Sequence, residues 1–421
     1  MKSIFSVSLV SLLATAALAT PVDFLERPTN GSDSYSVDEN STDNGELHAR
    51  ARGWVVETWE VYPRLPKAQA IELTRLSSIS PSPNCISLFY VMGVAGIAEP
   101  QNGITHHWCE GENWTSNLFG LNANGGIASI SNFPGHEELF YVDKDQTRIR
   151  SIRRDGPKEK WQRGIDQLST PIPPHSGIAA VSFSSTIELF YPGTGSRQGY
   201  VMHTYSSDAG SGWNPNQVLS GPDWGGVSTK SLDPIAALSR NGEHQQIFWI
   251  TALGVLESRY WTPSSGWTRS NIDKAANANT ASSIVTLQRS SATKEGSNMN
   301  FFYVGQDNKI WQGYWKADSP TWKFSKISDD EAIPGAIAAV SMHSQHQEVF
   351  WTNRDGMLKH AYWTKTQGKW ITETVPGLGG RQCLPGRGLT VVARKGKESM
   401  EGWCRLRGDP SKLIHFYYYA F

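Results

Sequence analysis

"IAAVSFSSTIELFYPG", residues 178–193, decides the fold, because a close copy, "IAAVSMHSQHQEVFWTN", returns at 337–353, an Ile-to-Ile offset of 159 residues. The tail of each copy is an aliphatic residue, then Phe, then Tyr or Trp. That triplet recurs as Leu88-Phe89-Tyr90, Leu139-Phe140-Tyr141, Leu189-Phe190-Tyr191, Ile247-Phe248-Trp249, Phe301-Phe302-Tyr303 and Val349-Phe350-Trp351. The central Phe residues are 51, 50, 58, 54 and 48 apart, and Trp403 in "MEGWCR" follows after 53 more. The chain therefore carries seven registers with a period near 52.

Two further markers keep the same beat. Trp114, Trp161, Trp213, Trp267, Trp322 and Trp370 follow each Phe by 19 to 25 residues. Small-residue runs precede it: "GIASIS" at 126, "GIAAVS" at 177, "PIAALS" at 234 and "AIAAVS" at 336. Each repeat holds about four strand-like runs, in the third roughly 177–183, 187–192, 200–206 and 213–219, parted by turn-rich segments such as "GTGSRQG". Four strands at such a period predict an all-β chain folded as a β-propeller, because a single blade cannot bury both of its faces and stacked blades bury each other's. The recurring Phe and Trp are expected between blades, and the small "IAA" residues near the crowded axis.

The seventh repeat lacks its Trp-led fourth strand. "GWVVETWEVY" at 53–62 opens with Gly-Trp, as the outer strands do at 212 and 266. It is expected to complete the last blade and close a ring of seven four-stranded blades over 53–421. Six blades plus an appendage is the alternative.

Composition agrees. Of 421 residues, 39 are Gly, 17 are Trp and 11% are aromatic, which suits short strands and turns. Lys plus Arg equals Asp plus Glu at 39 each, so net charge offers no case for nucleic acid or an anionic membrane. Residues 1–19 read as a signal peptide: Lys2, an apolar stretch from Ile4 to Leu18, and Ala17-Leu18-Ala19 as a cleavage site. No other apolar run is long enough to span a membrane. Residues 20–52 form a flexible polar leader. Asn30, Asn40 and Asn113 head glycosylation acceptors. Cys85, Cys109, Cys383 and Cys404 are an even count in a secreted chain, with three pairings open. Cys85–Cys109 and Cys383–Cys404 are expected, since each closes a local loop.

The line "IAAVS…IELFY" resembles the blades of the fungal fucose-specific lectins over most of residues 70–380. In that family an Arg two places before the central aromatic, a Glu on the third strand and a neighbouring Trp grip fucose between blades. Here the Arg position holds Ser87, Glu138, Glu188, Gln246, Asn300, Glu348 and Glu401. The third-strand Glu position falls near His106, Arg150, His203, Ser258, Gln312 and His360, with Glu257 one residue off. Strand Glu and His residues of this kind are expected to make cross-strand pairs.

With the clamp missing, the overall layout resembles the secreted fungal hetero-Diels–Alderases of tropolone-sesquiterpenoid biosynthesis. That resemblance implies a cofactor-independent pericyclase acting on small apolar substrates. A tropolone-derived quinone methide would add to a humulene-type olefin. A carbohydrate-binding protein without turnover is the alternative.

For either activity, long loops between outer and inner strands at one mouth of the channel are the place to look. These are 166–177, 219–233 and 375–388. They carry His175 as a candidate acid and Lys230, Arg381 and Arg387 as candidate donors to an oxygen. Trp224, out of register with the blade tryptophans, is a candidate apolar wall, and Asp233 a candidate binding residue. No nucleophile elbow, P-loop or HExxH motif is present, "GLGGRQC" at 377–383 does not sit in a strand–helix pattern, and His106-His107 lacks ligand partners at metal spacing. No cofactor or metal is expected.

Overall fold

A computed structural model describes residues 53–60 and 75–419, apart from 94–101, 111–112, 120, 145–146, 157, 166–170, 174–175, 184, 209–211, 222–225, 232, 242, 271, 273–276, 290–297, 317–318 and 410–411. The expected signal peptide, the leader, Asn30, Asn40, His175 and Trp224 lie outside the described residues, as does the side chain of Asn113.

The strands pair as seven separate four-stranded antiparallel sheets, one per sequence register. The third blade runs Ala179–Phe183 (inner), Thr186–Pro192 (second), Val201–Ser206 (third) and Gln217–Ser220 (outer). Its outer strand begins four residues later than the sequence suggests, with Trp213 in the segment that leads to it. The first blade spans Leu76–Ser82 to Asn113–Phe119 and the second Ala123–Ile130 to Gln162–Arg163. The fourth spans Ile235–Asn241 to Gly266–Arg269, the fifth Val285–Arg289 to Ser319–Lys326, and the sixth Ala338–Val340 to Trp370–Thr374. The protein is a seven-bladed β-propeller.

The last blade closes as expected. Leu389–Ala393, Ser399–Arg405 and Lys412–Tyr419 are its first three strands, and Gly53–Glu60 is the fourth, antiparallel to Lys412–Tyr419 over eight residue pairs. This clasp gives the C-terminal strand a partner in place of an open edge.

Burial follows position in the blade. Second strands lie mid-sheet with neighbouring blades on both faces, and Glu137–Asp143, His346–Thr352 and Ser399–Arg405 are buried at every residue. The triplet Phe residues are fully buried.

The Trp marker explains how blades register on one another. Each half-buried marker Trp, in or just before its outer strand, packs edge-on against the triplet aromatic of the preceding blade. Trp161 meets Phe89 at 5.9 Å, Trp213 meets Phe140 at 5.9 Å, Trp267 meets Phe190 at 5.6 Å, Trp322 meets Phe248 at 5.3 Å and Trp370 meets Phe302 at 5.8 Å. Trp54 meets Phe350 at 6.0 Å and Trp114 meets Trp403 at 5.8 Å, which completes the ring. All seven are edge-on, with interplanar angles of 76° to 90°. That geometry places the positive ring edge on the negative ring face. Trp403 thus stands where six blades have Phe. Glycine serves the same packing at Gly402, which faces Phe416 across the ladder, since a Cβ there would come within 2.2 Å of the ring.

Cys383 and Cys404 form the expected disulfide within the last blade. Cys85 and Cys109 are not joined. Their strands are neighbours, but Cys109 faces Ile86 and Cys85 faces Glu110. Cross-strand partners point to the same side of a sheet and sequence neighbours to opposite sides. The two thiols therefore project from opposite faces, and closing a short loop is not enough to bring them together. The observed disulfide fits an oxidising, extracellular setting. No helix among the described residues is long and apolar enough to cross a membrane.

Candidate functional site

Two places in a propeller can hold a ligand: between blades and on the axis. Between blades, the two positions of the lectin clamp are paired with each other in every blade. Ser87 lies 3.0 Å from His106 Nε2, and Ser151 donates to Glu138 at 2.6 Å. His203 Nε2 is 3.1 Å from Glu188 Oε2, and Gln246 donates to Ser258 at 2.8 Å. Gln312 donates to Asn300 at 2.8 Å, His360 Nδ1 contacts Glu348, and His415 Nε2 is 3.0 Å from Glu401. All fourteen side chains are buried. This is the expected cross-strand pairing, with one change. In the second blade Phe140 faces Ser151, so Ser151 takes the place assigned to Arg150. Arg150 forms an ion pair with Asp143 instead.

The electrostatics fit closed internal pairs. Burial alone would raise the Glu348 carboxyl, but His346 and His360 pull it below the usual carboxylate range. Burial raises Glu401 too, and His415 and Arg394 outweigh it. Among the described residues Glu138 accepts a hydrogen bond from the Ser151 hydroxyl, and burial pushes it up to about 7. An Arg–Glu–Trp set does occur between the first and second blades. There Arg154 donates twice to Glu137 Oε1, at 2.9 and 2.6 Å, and lies 5.0 Å over Trp161. Arg154 is 3% exposed and Glu137 0%, so the set is internal. In the fourth blade Glu257 is held by Arg269 through three hydrogen bonds.

The axis is different. The inner strands of all seven blades enclose a cavity of about 360 Å³. One aliphatic residue per blade lines it at the same register: Leu76, Ile127, Ile178, Ile235, Ile284, Ile337 and Leu389. Ala, Ser and Thr follow along each strand. The volume is at the lower end of the ~300–1,000 Å³ typical of small-molecule sites. Among the described residues two charged ones line it, Arg75 and Asp233, and Arg75 Nη1 donates to Asp233 Oδ1 at 2.6 Å. They precede the inner strands of the first and fourth blades, three blades apart in a ring of seven, so the ion pair reaches across the axis. It lies at the mouth where outer-to-inner loops arrive. Burial lowers the Arg75 pKa, and Asp233 works against that.

Of the residues singled out from sequence, Asp233 lines this cavity. Lys230 is exposed nearby, its backbone N–H bonded to Ser228, and does not line it. Arg381 is spent on its own turn, donating to the carbonyls of Leu378 and Gly377 and reaching Thr58 at 3.4 Å. Arg387 is half-buried in the loop just before the lining residue Gly388. Arg75 was not singled out, although a signal was present. The residue before the lining aliphatic is Gly126, Gly177, Pro234, Ser283, Ala336 and Gly388 in six blades, and Arg75 in the first. Among the described residues no group of three His, Cys, Asp or Glu is arranged to hold a metal.

No family model matches the chain. No curated protein matches it. Solved structures do. The BP39L lectin from Burkholderia pseudomallei superposes with a TM-score of 0.67 at 16% identity, over 83% of this chain and 96% of that one. The fold is that of the lectin propellers. The fucose-specific lectin from Aleuria aurantia gives a TM-score of 0.52 at 16% identity, over 73% of this chain and 97% of that one. AofleA from Arthrobotrys oligospora gives 0.53 at 14%, over 77% and 90%. At such identities the likeness concerns the fold alone. The Aleuria lectin is six-bladed, and this chain has seven blades.

Proposed function

We propose that this lectin-like propeller binds small, largely apolar molecules in its axial channel and acts there as a pericyclase. In this reading it couples a tropolone-derived quinone methide to a humulene-type olefin by a hetero-Diels–Alder reaction. One observation supports it: the clamp positions between blades are buried and paired with each other, whereas the axial channel is a cavity of small-molecule size with the Arg75–Asp233 ion pair at its mouth. The chemistry asks little more. A hydroxymethyl tropolone loses water to give the heterodiene, and the olefin adds across it, forming one C–C and one C–O bond with no net proton or electron transfer. A cavity that holds the two partners face to face lowers the barrier by removing translational and rotational freedom. A fixed donor at the tropolone oxygen stabilises charge that develops as the bonds form. The cavity suits one single-ring partner, with the olefin meeting it at the open mouth.

The test is product ratio by chiral chromatography, with and without protein, using a hydroxymethyl tropolone and humulene. One diastereomer in excess, formed faster with protein, is expected. Identical ratios and rates remove the pericyclase.

A second reading, a fucose-binding lectin without turnover, is favoured by the structural neighbours, among which the Aleuria aurantia lectin is fucose-specific. Retention on a fucosyl column that free fucose reverses would establish it. The buried, self-paired clamp positions lead us to expect no such retention.

A further inference from the structure

We infer that Arg75 is the ligand-holding cation of the axial channel and that Asp233 is its internal stand-in. The ligand is a small molecule with an apolar body and one acidic oxygen group, a carboxylate or an enolate such as tropolonate. This rests on the small-molecule reading of the channel, not on the pericyclase. Three observations carry it.

First, the position is singular. Six blades place Gly, Pro, Ser or Ala before the lining aliphatic residue, which is what a crowded axis demands, and the first blade places Arg75 there. Stability does not explain the exchange. A buried ion pair is commonly no better for stability than apolar residues of like volume, because desolvating two charges offsets their attraction.

Second, the two partners are unequally buried. The Arg75 side chain is 5% exposed and that of Asp233 is 39% exposed. The carboxylate therefore reaches in from the solvent side and returns to water cheaply, while the guanidinium stays over the cavity. A ligand that brings its own anionic oxygen takes over the contact that Asp233 makes with Arg75.

Third, the chemistry matches. A guanidinium presents a planar fork of N–H donors that suits two adjacent oxygens. Carboxylates and tropolonates offer such a pair, and the channel, lined by Ala, Ser, Thr and aliphatic residues, lies beyond for the rest of the molecule.

The experiment measures binding of tropolone and of tropolone methyl ether to the full chain by calorimetry. It is run with a chelator present and at a pH where tropolone is ionised. The ether has the same ring but no acidic proton. Wild-type protein should prefer tropolone. Asp233→Asn should tighten tropolone binding about tenfold and leave the ether unchanged, because the competitor for Arg75 is gone. Arg75→Gln should erase the preference while still binding the ether. Equal affinity for both compounds in wild type and Asp233→Asn overturns the role of Arg75 and leaves the channel as a site that does not read the charge. Binding of neither compound to any variant overturns the channel itself. Should Arg75→Gln fail to melt cooperatively, the Asp233→Asn pair of titrations decides alone, and weaker tropolone binding there refutes the proposal.

Discussion

Replacing Trp54 with alanine tests how the ring is closed. Trp54 opens the strand Gly53–Glu60, which completes a blade whose other three strands are the last in the chain. Its ring packs edge-on against Phe350 of the sixth blade at 6.0 Å and against His360 at 5.1 Å, and it touches Tyr418 at 5.4 Å within its own sheet. A fully buried Trp cut to Ala costs about 3–5 kcal/mol. Trp54 is half-buried, which brings this to about 1.5–2.5 kcal/mol. The edge contacts add about 0.5–1.5 kcal/mol beyond area. A loss of about 2–4 kcal/mol is therefore expected, read as a lower midpoint in urea unfolding followed by far-UV circular dichroism. Trp267→Ala is the internal control. It occupies the same place in the fourth blade, edge-on to Phe190 at 5.6 Å, and should cost about as much. Parity between the two shows that a strand more than 350 residues from its partner is integral to the ring. If Trp54→Ala unfolds like the parent while Trp267→Ala does not, the N-terminal strand is an appendage and the closure argument fails.

Other outcomes follow from the buried titratable groups and the cysteines. Burial holds His107 and His244 at about 4, below the ordinary 6.5, so the unfolded chain takes up their protons first. The stability they contribute is complete above about 6.5 and is lost as pH falls toward 4. Glu57, held at about 2 mainly by the neighbouring His415, adds a further loss below 4.5. In thermal melts between pH 6.5 and 4, a His107→Gln, His244→Gln double variant should lose less stability than the parent; an equal loss refutes the assignment. Glu138 acts with the opposite sign, since burial raises it to about 7. Its contribution is present below 4.5 and lost as pH rises through 7, so Glu138→Gln should protect the alkaline side of the same profile. Thiol titration without reductant should find Cys85 and Cys109 reactive only after unfolding. Reducing Cys383–Cys404, which spans 21 residues, should cost about 3 kcal/mol by loop entropy. A thiol count of four or none would contradict the pairing.

The sequence discloses what every blade must repeat. The Phe beat and the Trp beat are legible because each blade meets its neighbour through the same edge-on contact, and closure is legible because Trp54 carries that contact at the other end of the chain. Errors came where one residue of register matters. Arg150 and Ser151 are adjacent, yet in a strand that step exchanges the two faces of the sheet, and Ser151 is the one that meets Glu138. The same alternation separates Cys85 from Cys109, and loop length says nothing about it. The candidate site was missed for another reason. Loop length points to Lys230 and Arg381, and surface cations there end in solvent or on their own turn. Asp233 was found because it shares such a loop, whereas Arg75 needed its position to be compared across blades. The clamp positions cannot supply a singular site here, because each blade must satisfy its own buried polar pair before it can pack on the next. The residue before the lining aliphatic is free of that duty. It is held small by the crowding of the axis, where a Cβ on Gly126 would come within 2.0 Å of the Ser176 carbonyl oxygen, so a departure from the repeat as large as Arg75 carries functional information.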